Sequence, residues 1–481
     1  MIREVMKREI LDHLISLRFS ISAILILILM VCGTIVSEKV VKVRMERYGP
    51  GEIKGFYKAK IWSAVSGLGF YRRKPSPLGF IAMEDELIWP FFIARGGILM
   101  SGFGEQVVNY TKATNWALDY LGATFFTSEE SSLFPISMRD ASFPPFIPMD
   151  WAFVIGVLGA LMAILFTYDS ISGERERGTL KLLISNPVPR SHVILGKLLG
   201  AMVVLTFAIG FGCIISLLIA MRITPLGKED WIRLLLILLF SLLYIAIFVF
   251  IGISISSRFR SSMESLAILL IIWMVFVILM PKTIEFVYME TIPHHPYEDI
   301  LSISTKMEDE IDNRYREKGL FDKVPPWEYG KEAIELWRRY LNEFERIPYE
   351  VDRMFDKRVA IVERARMWSR LSPASIYRYG LEAIAGTSLP GYMEFVTQIR
   401  QYIKDTLNIL KKADMDDPNS LHIFWMKEGM SQREVELPRF KQGRSFLWMI
   451  RKGMLDMMII LILFIGMFLL SYFSFMKADV R

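Results

Sequence analysis

The amino-acid sequence predicts a mainly α-helical membrane protein, with six transmembrane helices and two large extracytoplasmic insertions that are mostly helical. Two observations predict this class. Of the 481 residues, 53% are hydrophobic and the mean hydropathy is +0.34, between the values typical of soluble domains and of chains lying wholly in the membrane. The apolar residues are also gathered into separate runs of about 20, the length that an α-helix needs to cross a bilayer.

Six apolar runs are long enough, or nearly so, to span a membrane. They are residues 19–37, 151–168, 198–221, 232–256, 261–280 and 457–475. The fifth reaches this length only when its polar start, 261–265, is included. Ionisable residues lie at or near the ends of the runs, whereas proton-coupled carriers and pumps usually need such groups inside the bilayer. If the chain moves a substrate, the energy therefore enters from elsewhere.

The N-terminal segment, residues 1–18, has an amphipathic pattern. Its apolar face is formed by Ile2, Met6, Ile10 and Leu14, with basic residues on the other faces. This pattern predicts an interfacial helix lying along the membrane surface. The alternative is a simple extension of the first span into the cytoplasm.

The distribution of Lys and Arg predicts the orientation in the membrane. With the N-terminus inside, the inner segments carry 13 basic residues, whereas the short outer loop carries Arg222 and Lys228, with Arg233 at its edge. Because cytoplasmic loops are enriched in Lys and Arg, we expect both termini to be cytoplasmic in a multi-pass protein of the cell membrane. The same bias accounts for the net charge of +6, so we expect membrane lipid and no nucleic acid as a partner.

Two long segments then lie outside the membrane, residues 38–150 and 281–450. The first begins as a charged, helical-looking extension and ends in the proline-rich FPPFIPMDW, which stops regular structure before the second span. The second carries charges of nearly balanced sign and three apolar stripes at helical spacing. The stripes are Ile334, Trp337, Leu341 and Phe344; Val351, Phe355, Val359 and Val362; and Phe395, Ile399, Tyr402 and Thr406. We interpret them as helix-packing faces.

The sequence contains no pattern that indicates catalysis or a metal site. His294 and His295 are adjacent, so they point in different directions, and no Cys or third His lies near them. Cys32 and Cys213 fall within apolar runs, which predicts no disulfide. The pair Gly196-Lys197 is followed by Leu rather than the Ser or Thr of a phosphate-binding loop. We therefore expect no enzyme activity and no nucleotide site in this chain.

The segment between the second and third spans, residues 169–197, is charged and contains a short amphipathic helix. Gly178 separates GERER from the following residues, Thr179 can cap a new helix, and Pro187 ends it. Its apolar face is formed by Leu180, Leu183 and Ile184. Because so short a helix is marginal alone in water, the leucines need a partner surface. That surface is either the inner ends of the chain's own spans or a groove on a cytoplasmic subunit.

Resemblance to a known family decides between these alternatives. The stretch GERERGTLKLLISNPVPRSHVILGKLLGA resembles the motif of type-2 ABC exporter permeases, closest to the branch linked to multicopper-enzyme maturation and gliding motility. The residues that match the family pattern are Glu174, Glu176, Gly178, Thr179, Leu180, Pro187, Arg190, Gly196 and Lys197. A second match, residues 371–402, is similar to the outer domain of a sub-branch with large insertions after the first and fifth spans. Simpler members often have short outer loops.

The resemblance implies a half-transporter. Two permeases, identical or related, would pair with two copies of a cytoplasmic ABC ATPase, which binds ATP and Mg²⁺. The residues implied to couple this chain to the ATPase are Glu174, Arg175, Glu176, Arg177, Gly178, Thr179, Leu180, Leu183, Ile184 and Pro187. Arg258 and Arg260 are either a second contact or charges that set the topology.

Two functions follow from the resemblance and stay open at this point. The first is export of an unidentified substrate, driven by ATP hydrolysis in the separate ATPase. The second is ATPase-driven mechanical signalling to an extracytoplasmic partner without transport, which suits the long outer helices. A stand-alone receptor is disfavoured because the chain has no cytoplasmic output domain.

Overall fold

The structure, a computed structural model, is almost entirely helical in the residues that it describes, which confirms the predicted fold class. These residues are 2–47, 58–61, 150–180, 182, 189–222, 226–289, 296–424, 426–438 and 445–477. Most of the first insertion, including its proline-rich end, lies outside them. Within the described residues, one two-stranded antiparallel sheet accompanies the helices.

Among the described residues, six helices are long and apolar enough to cross a membrane, and each overlaps one of the predicted runs. They are Leu17–Ile35 (TM1), Trp151–Glu176 (TM2), Arg190–Ala220 (TM3), Lys228–Arg258 (TM4), Ser262–Ile284 (TM5) and Phe446–Met476 (TM6). TM1 is part of a longer helix, Leu17–Arg47, and TM5 is continued by the helix Met280–Met289. TM3, TM4 and TM6 each have 31 residues, about 46 Å of helix, so their ends extend beyond a hydrocarbon core about 30 Å thick.

TM2 and TM4 form the centre of the bundle. Within their most apolar stretches 67% and 61% of the residues are buried inside the chain, against 17% for both TM5 and TM6. A glycine allows the two central helices to approach closely: a Cβ added to Gly252 of TM4 would lie 1.8 Å from Oγ1 of Thr167 on TM2. TM5 and TM6 therefore leave most of their apolar surface outside the bundle, as expected of helices that face lipid or another protein.

An N-terminal helix, α1 (Ile2–Leu14), lies against TM3 and is separated from TM1 by a turn. In this turn the hydroxyl of Ser16 donates to the carbonyl of His13 at 2.6 Å and accepts from the Phe19 amide at 3.2 Å. Two TM3 glycines one turn apart make room for α1. A Cβ added to Gly196 would lie 2.8 Å from Val5, and one added to Gly200 would lie 2.7 Å from Glu9. The segment is thus a separate helix packed on the bundle.

We call the end of the bundle that carries α1 and the TM2–TM3 connection the proximal end, and the opposite end the distal end. The second insertion lies at the distal end. Its main helices are α2 (Pro296–Arg316), α3 (Lys331–Phe344), α4 (Ile347–Ser369), α5 (Pro373–Ala385) and α6 (Leu389–Met415). Short 3₁₀ turns occupy Pro326–Glu328 and Lys427–Gly429.

Two short strands join the two insertions. Strand β1 (Lys58–Lys60) of the first insertion pairs antiparallel with β2 (Glu434–Glu436) near the end of the second. In this register Lys58 lies opposite Glu436 and Lys60 opposite Glu434.

The apolar stripes predicted for the second insertion do form packing faces where their side chains are described. The buried members are Trp337, Leu341, Phe344, Val359, Val362, Tyr402 and Thr406. The side chains of Val351, Phe355, Phe395 and Ile399 lie outside the described part, and Ile334 is half-buried. Around α3 the rings of Trp337 and Tyr340 meet edge to face, with centroids 5.4 Å apart, which adds directional contacts to apolar burial.

Helix α5 leads the second insertion back onto the bundle. The hydroxyl of Ser372 caps its first turn, and Gly386, with φ of 82°, ends it in a left-handed conformation that favours glycine. Two more glycines allow close packing on spans. A Cβ added to Gly380 would lie 2.5 Å from the ring of Phe240 on TM4, and one added to Gly453 of TM6 would lie 2.2 Å from Cβ of Ala383. The helix therefore packs closely between TM4 and TM6.

Candidate coupling site at the proximal end

TM2 ends at the proximal end in a short helix, which is followed by a turn into the connection to TM3. The helix covers Ser172–Glu176, and Gly178, with φ of 72°, turns the chain out of it. Oγ1 of Thr179, the residue predicted to cap the next helix, donates to the carbonyl of Glu174 at 3.2 Å. The predicted site residues Leu183, Ile184 and Pro187 lie outside the described residues. We refer to residues 170–182 as the coupling segment.

A buried lysine joins the coupling segment to two other elements. The side chain of Lys197, at the start of TM3, is 3% exposed. Its Nζ lies 2.9 Å from Oε1 of Glu174 in the segment and 3.0 Å from Oε2 of Glu9 in α1. A buried ammonium group is tolerated only when it is paired. These three residues, which we call the Lys197 cluster, therefore hold α1, the segment and TM3 together.

His13 completes the surroundings of the Lys197 cluster. Its Nε2 lies 3.7 Å from Oε1 of Glu9, and its ring stacks on that of Phe166 with centroids 5.2 Å apart. Burial lowers the pKa of His13 below its ordinary value. With a neutral imidazole the cluster holds one cation between two carboxylates, a net charge of −1.

The two residues after Glu174 bind the loop between TM4 and TM5. The guanidinium of Arg175 donates to the carbonyls of Phe259 and Ser257, at 2.8 and 3.0 Å. The carboxylate of Glu176 accepts from the amide and the hydroxyl of Ser262, at 2.8 and 2.7 Å. Because Ser262 is the first residue of TM5, this carboxylate lies at the positive end of a helix dipole.

A buried serine of TM4 binds the backbone of the same segment. The amides of Ile171 and Ser172 both donate to Oγ of Ser256, each at 3.0 Å. The two loop arginines predicted as a second contact are exposed, and Nε of Arg258 donates to Ser474 of TM6 at 3.1 Å. The coupling segment and the TM4–TM5 loop, including Arg260, thus form one continuous surface at the proximal end.

Of the predicted apolar face of the segment, the structure describes Leu180. Leu180 is 3% exposed and belongs to the chain's own core, whereas Leu182, which the prediction did not include, is 69% exposed. Arg177 and Gly178 are also exposed. Of the two partner surfaces considered from the sequence, Leu180 uses the chain's own spans.

A known protein family matches almost the whole length of the chain. The family described as "ABC-2 family transporter protein" matches residues 3–480. The chain belongs to the ABC-2 transporter family. It is therefore a membrane-spanning permease of an ABC transporter, as the resemblance predicted.

Two relatives indicate which branch of the ABC-2 family the chain resembles. The "Probable ABC transporter permease protein NosY" of Stutzerimonas stutzeri is 44% identical over 75 residues, which are 15% of this chain and 27% of that protein. The protein of the same name from Pseudomonas aeruginosa is 50% identical over 54 residues, 11% of this chain and 20% of that protein. The matches thus span about a quarter and a fifth of the relatives' lengths. They support the predicted branch, the one linked to multicopper-enzyme maturation.

Sequence reasoning missed several residues of this candidate site. The sequence places Glu9 only in an amphipathic helix, and it places Ser256, Ser257 and Ser262 only at or near the ends of spans. The contacts between Arg175 and the TM4–TM5 loop join residues more than 80 positions apart, so no local spacing could mark them. The one available signal was the charge of Glu9, an acidic residue at a position that faces apolar TM3.

Proposed function

We propose that this chain is the transmembrane permease subunit of an ABC exporter, which couples ATP hydrolysis by a separate cytoplasmic ATPase to export of a substrate. The complex contains two permeases, identical or related, and two copies of the ATPase, which hold ATP and Mg²⁺. The proximal end and both termini face the cytoplasm, and the two insertions lie outside the cell membrane.

The observation that carries this proposal is the set of polar contacts made by the coupling segment. It is bound to α1 and TM3 through Lys197, to TM4 through Ser256, and to TM5 through Glu176 and Ser262. A displacement of the segment therefore acts on most of the bundle at one point. This is the mechanical requirement for a permease that is driven from outside the membrane.

The exposed side chains beside the segment suit a protein partner. Leu182 offers apolar area for a groove, and Arg177, Arg258 and Arg260 offer charges that orient the partner. We propose that Leu183, Ile184 and Pro187 belong to the same contact. The basic character of this end also supports a cytoplasmic orientation, since Lys and Arg are enriched on that side of a membrane.

The first test is co-purification with an ATPase. The chain is co-expressed with each candidate ABC ATPase subunit of its source genome, and the complex that forms is remade with Leu182→Asp. We expect a loss of affinity of about tenfold or more, because a charge would enter an apolar contact. Met415→Asp is the matched control, because Met415 is 67% exposed but lies on the distal insertion. Equal recovery of ATPase with both variants would refute the proposed docking surface.

Mechanical signalling to an extracytoplasmic partner is the second candidate function, and α5 favours it. The whole helix from Ser375 to Ala385 is buried, so movement of TM4 or TM6 is passed to the insertion rather than absorbed by a loose linker. Reconstitution of the complex in lipid vesicles separates the candidates. Faster ATP hydrolysis with an added lipid, peptide or drug supports export. No response to any of them, together with an ATP-dependent change in the insertion, supports signalling.

A further inference from the structure

Two spans contain π-helical segments, in which the backbone is wider than in an α-helix. The first, π1, is Val154–Gly159 in TM2, and the second, π2, is Met274–Leu279 in TM5. Such segments disturb the regular backbone hydrogen bonds and occur frequently at functional sites. In this chain, carbonyls of both segments accept hydrogen bonds from side chains of other elements.

The carbonyls of π1 are bound from TM4 and TM5. The hydroxyl of Tyr244 on TM4 donates to the carbonyl of Gly156 at 2.6 Å. Nε1 of Trp273 on TM5 donates to the carbonyl of Val157 at 3.1 Å. Because Trp273 is the residue immediately before π2, the two segments are joined by a single side chain.

The carbonyls of π2 connect in turn to the distal insertion. The hydroxyl of Ser372, which caps α5, also donates to the carbonyl of Phe276 in π2. The bundle contacts of α5 are therefore made partly to the most irregular stretch of TM5.

Helix α5 also contacts π1 directly. The ring of Tyr377 stacks on that of Tyr244, with centroids 4.3 Å apart, and its hydroxyl lies 2.8 Å from Oγ of Ser241. A Cβ added to Gly156 would lie 3.4 Å from the Tyr377 ring, so glycine lets the ring lie against π1. At the start of TM2, Asp150 lies 3.5 Å from the guanidinium of Arg378. TM2, TM4 and TM5 are thus linked by α5 distally and by the coupling segment proximally.

We infer that Tyr244, Trp273 and Ser372 are positioning residues that carry motion of the coupling segment to the distal insertion; this inference rests on the proposed function. A π segment can return to regular α-helix by passing its extra residue along the span. One residue corresponds to a shift of about 1.5 Å and a rotation of about 100°. Such a change in π1 moves the carbonyls that Tyr244 and Trp273 hold. Trp273 then displaces π2, and Ser372 displaces α5.

The test measures hydrogen exchange in the intact complex with its ATPase, with and without ATP and vanadate. In the native complex we expect altered protection both in residues 170–182 and in α5. In a Tyr244→Phe, Trp273→Phe double variant both donors to π1 are lost, while each position keeps an aromatic ring, smaller than the indole at position 273. We then expect 170–182 to respond as before, and the response of α5 to fall at least fivefold. Thr206→Val is the control, because its hydroxyl donates only within TM3.

The outcomes separate the inference from the proposed function. If residues 170–182 respond but α5 does not in the native complex, or if α5 responds fully in the double variant, the inference is wrong and the proposed function stands. If residues 170–182 themselves do not respond, the proposed function fails and the inference fails with it. Should the double variant not fold, Ser372→Ala tests the last contact alone, with the same expected loss at α5.

Discussion

The Lys197 cluster allows a quantitative prediction about the stability of the proximal end. Replacing Lys197 by Met keeps an unbranched side chain, one atom shorter, but removes the charge, and it leaves Glu9 and Glu174 facing each other. Since Nζ lies 3.0 and 2.9 Å from one oxygen of each, those two oxygens are at most about 6 Å apart. At an effective dielectric constant of about 20, two negative charges at this separation repel by roughly 3 kcal/mol.

Measured losses of stability for broken buried ion pairs are of similar size to this repulsion energy. Removing one partner of such a pair typically costs about 3–5 kcal/mol, because an uncompensated charge remains buried. The carboxylates here are slightly accessible, with 13% and 14% of their side-chain surface exposed, so water relieves part of the cost. We therefore expect Lys197→Met to lower the free energy of unfolding by about 3 kcal/mol.

The assay is denaturant unfolding of the purified chain in detergent micelles, followed by circular dichroism. Lys404→Met removes an exposed lysine of α6 and should change the free energy of unfolding by less than about 0.5 kcal/mol. A triple variant with Glu9→Gln and Glu174→Gln should recover most of the lost stability, because neutral groups replace the repelling pair. The reasoning is refuted if Lys197→Met is as stable as Lys404→Met, or if the triple variant is no more stable than the single one.

Two further predictions concern the insertion and the bundle centre. Burial, with nearby Asp312, raises the pKa of Glu308 to about 8, so the folded state holds a proton that the unfolded chain releases near pH 4.3. Stability should therefore fall between about pH 4 and pH 8, and Glu308→Gln should reduce this fall in melting temperatures measured at pH 5 and pH 8. Gly252→Val would clash with Thr167 and should lower the free energy of unfolding by about 1–3 kcal/mol in the denaturant assay above.

Each of these two changes has a matched control. Glu310→Gln alters an exposed carboxylate of the same helix and should leave the pH dependence as it is in the native chain. Gly466→Val adds the same side chain to TM6 where nothing lies within 4 Å, so it should be tolerated. A pH slope unchanged by Glu308→Gln, or equal stabilities of the two valine variants, would contradict the respective argument.

Hydropathy predicted the spans because membrane crossing depends on the length of an apolar run, which is a local property. The close contact of Gly380 with Phe240 is different, because it joins two elements far apart in the chain and has no local signature. The same holds for the burial of Leu180 and the exposure of Leu182. Leu180 and Leu182 are equally apolar, and only the path of the chain after Gly178 buries one and exposes the other.

The π segments mark a second limit of sequence reasoning. VIGVLG and MVFVIL read as ordinary apolar helix, because a widened turn depends on which side chains reach its carbonyls. Tyr244, at the centre of TM4, could be assigned from its sequence only as an aromatic residue in an apolar run. The charged residues of the coupling segment were selected through family resemblance, and their roles toward an ATPase remain predictions.

The pairing of β1 with β2 has a consequence for the order in which the protein is made. The ribosome completes Lys60 long before Glu434, and 374 residues separate the two partners of the ladder. At synthesis rates of about 5–20 residues per second, β1 waits roughly 20–75 s for its partner. During this interval the edge of β1 lacks its partner strand and is open to mispairing or to a chaperone. Pairing of β1 with β2 is therefore among the last steps of biogenesis, and it needs most of the chain to have been inserted correctly.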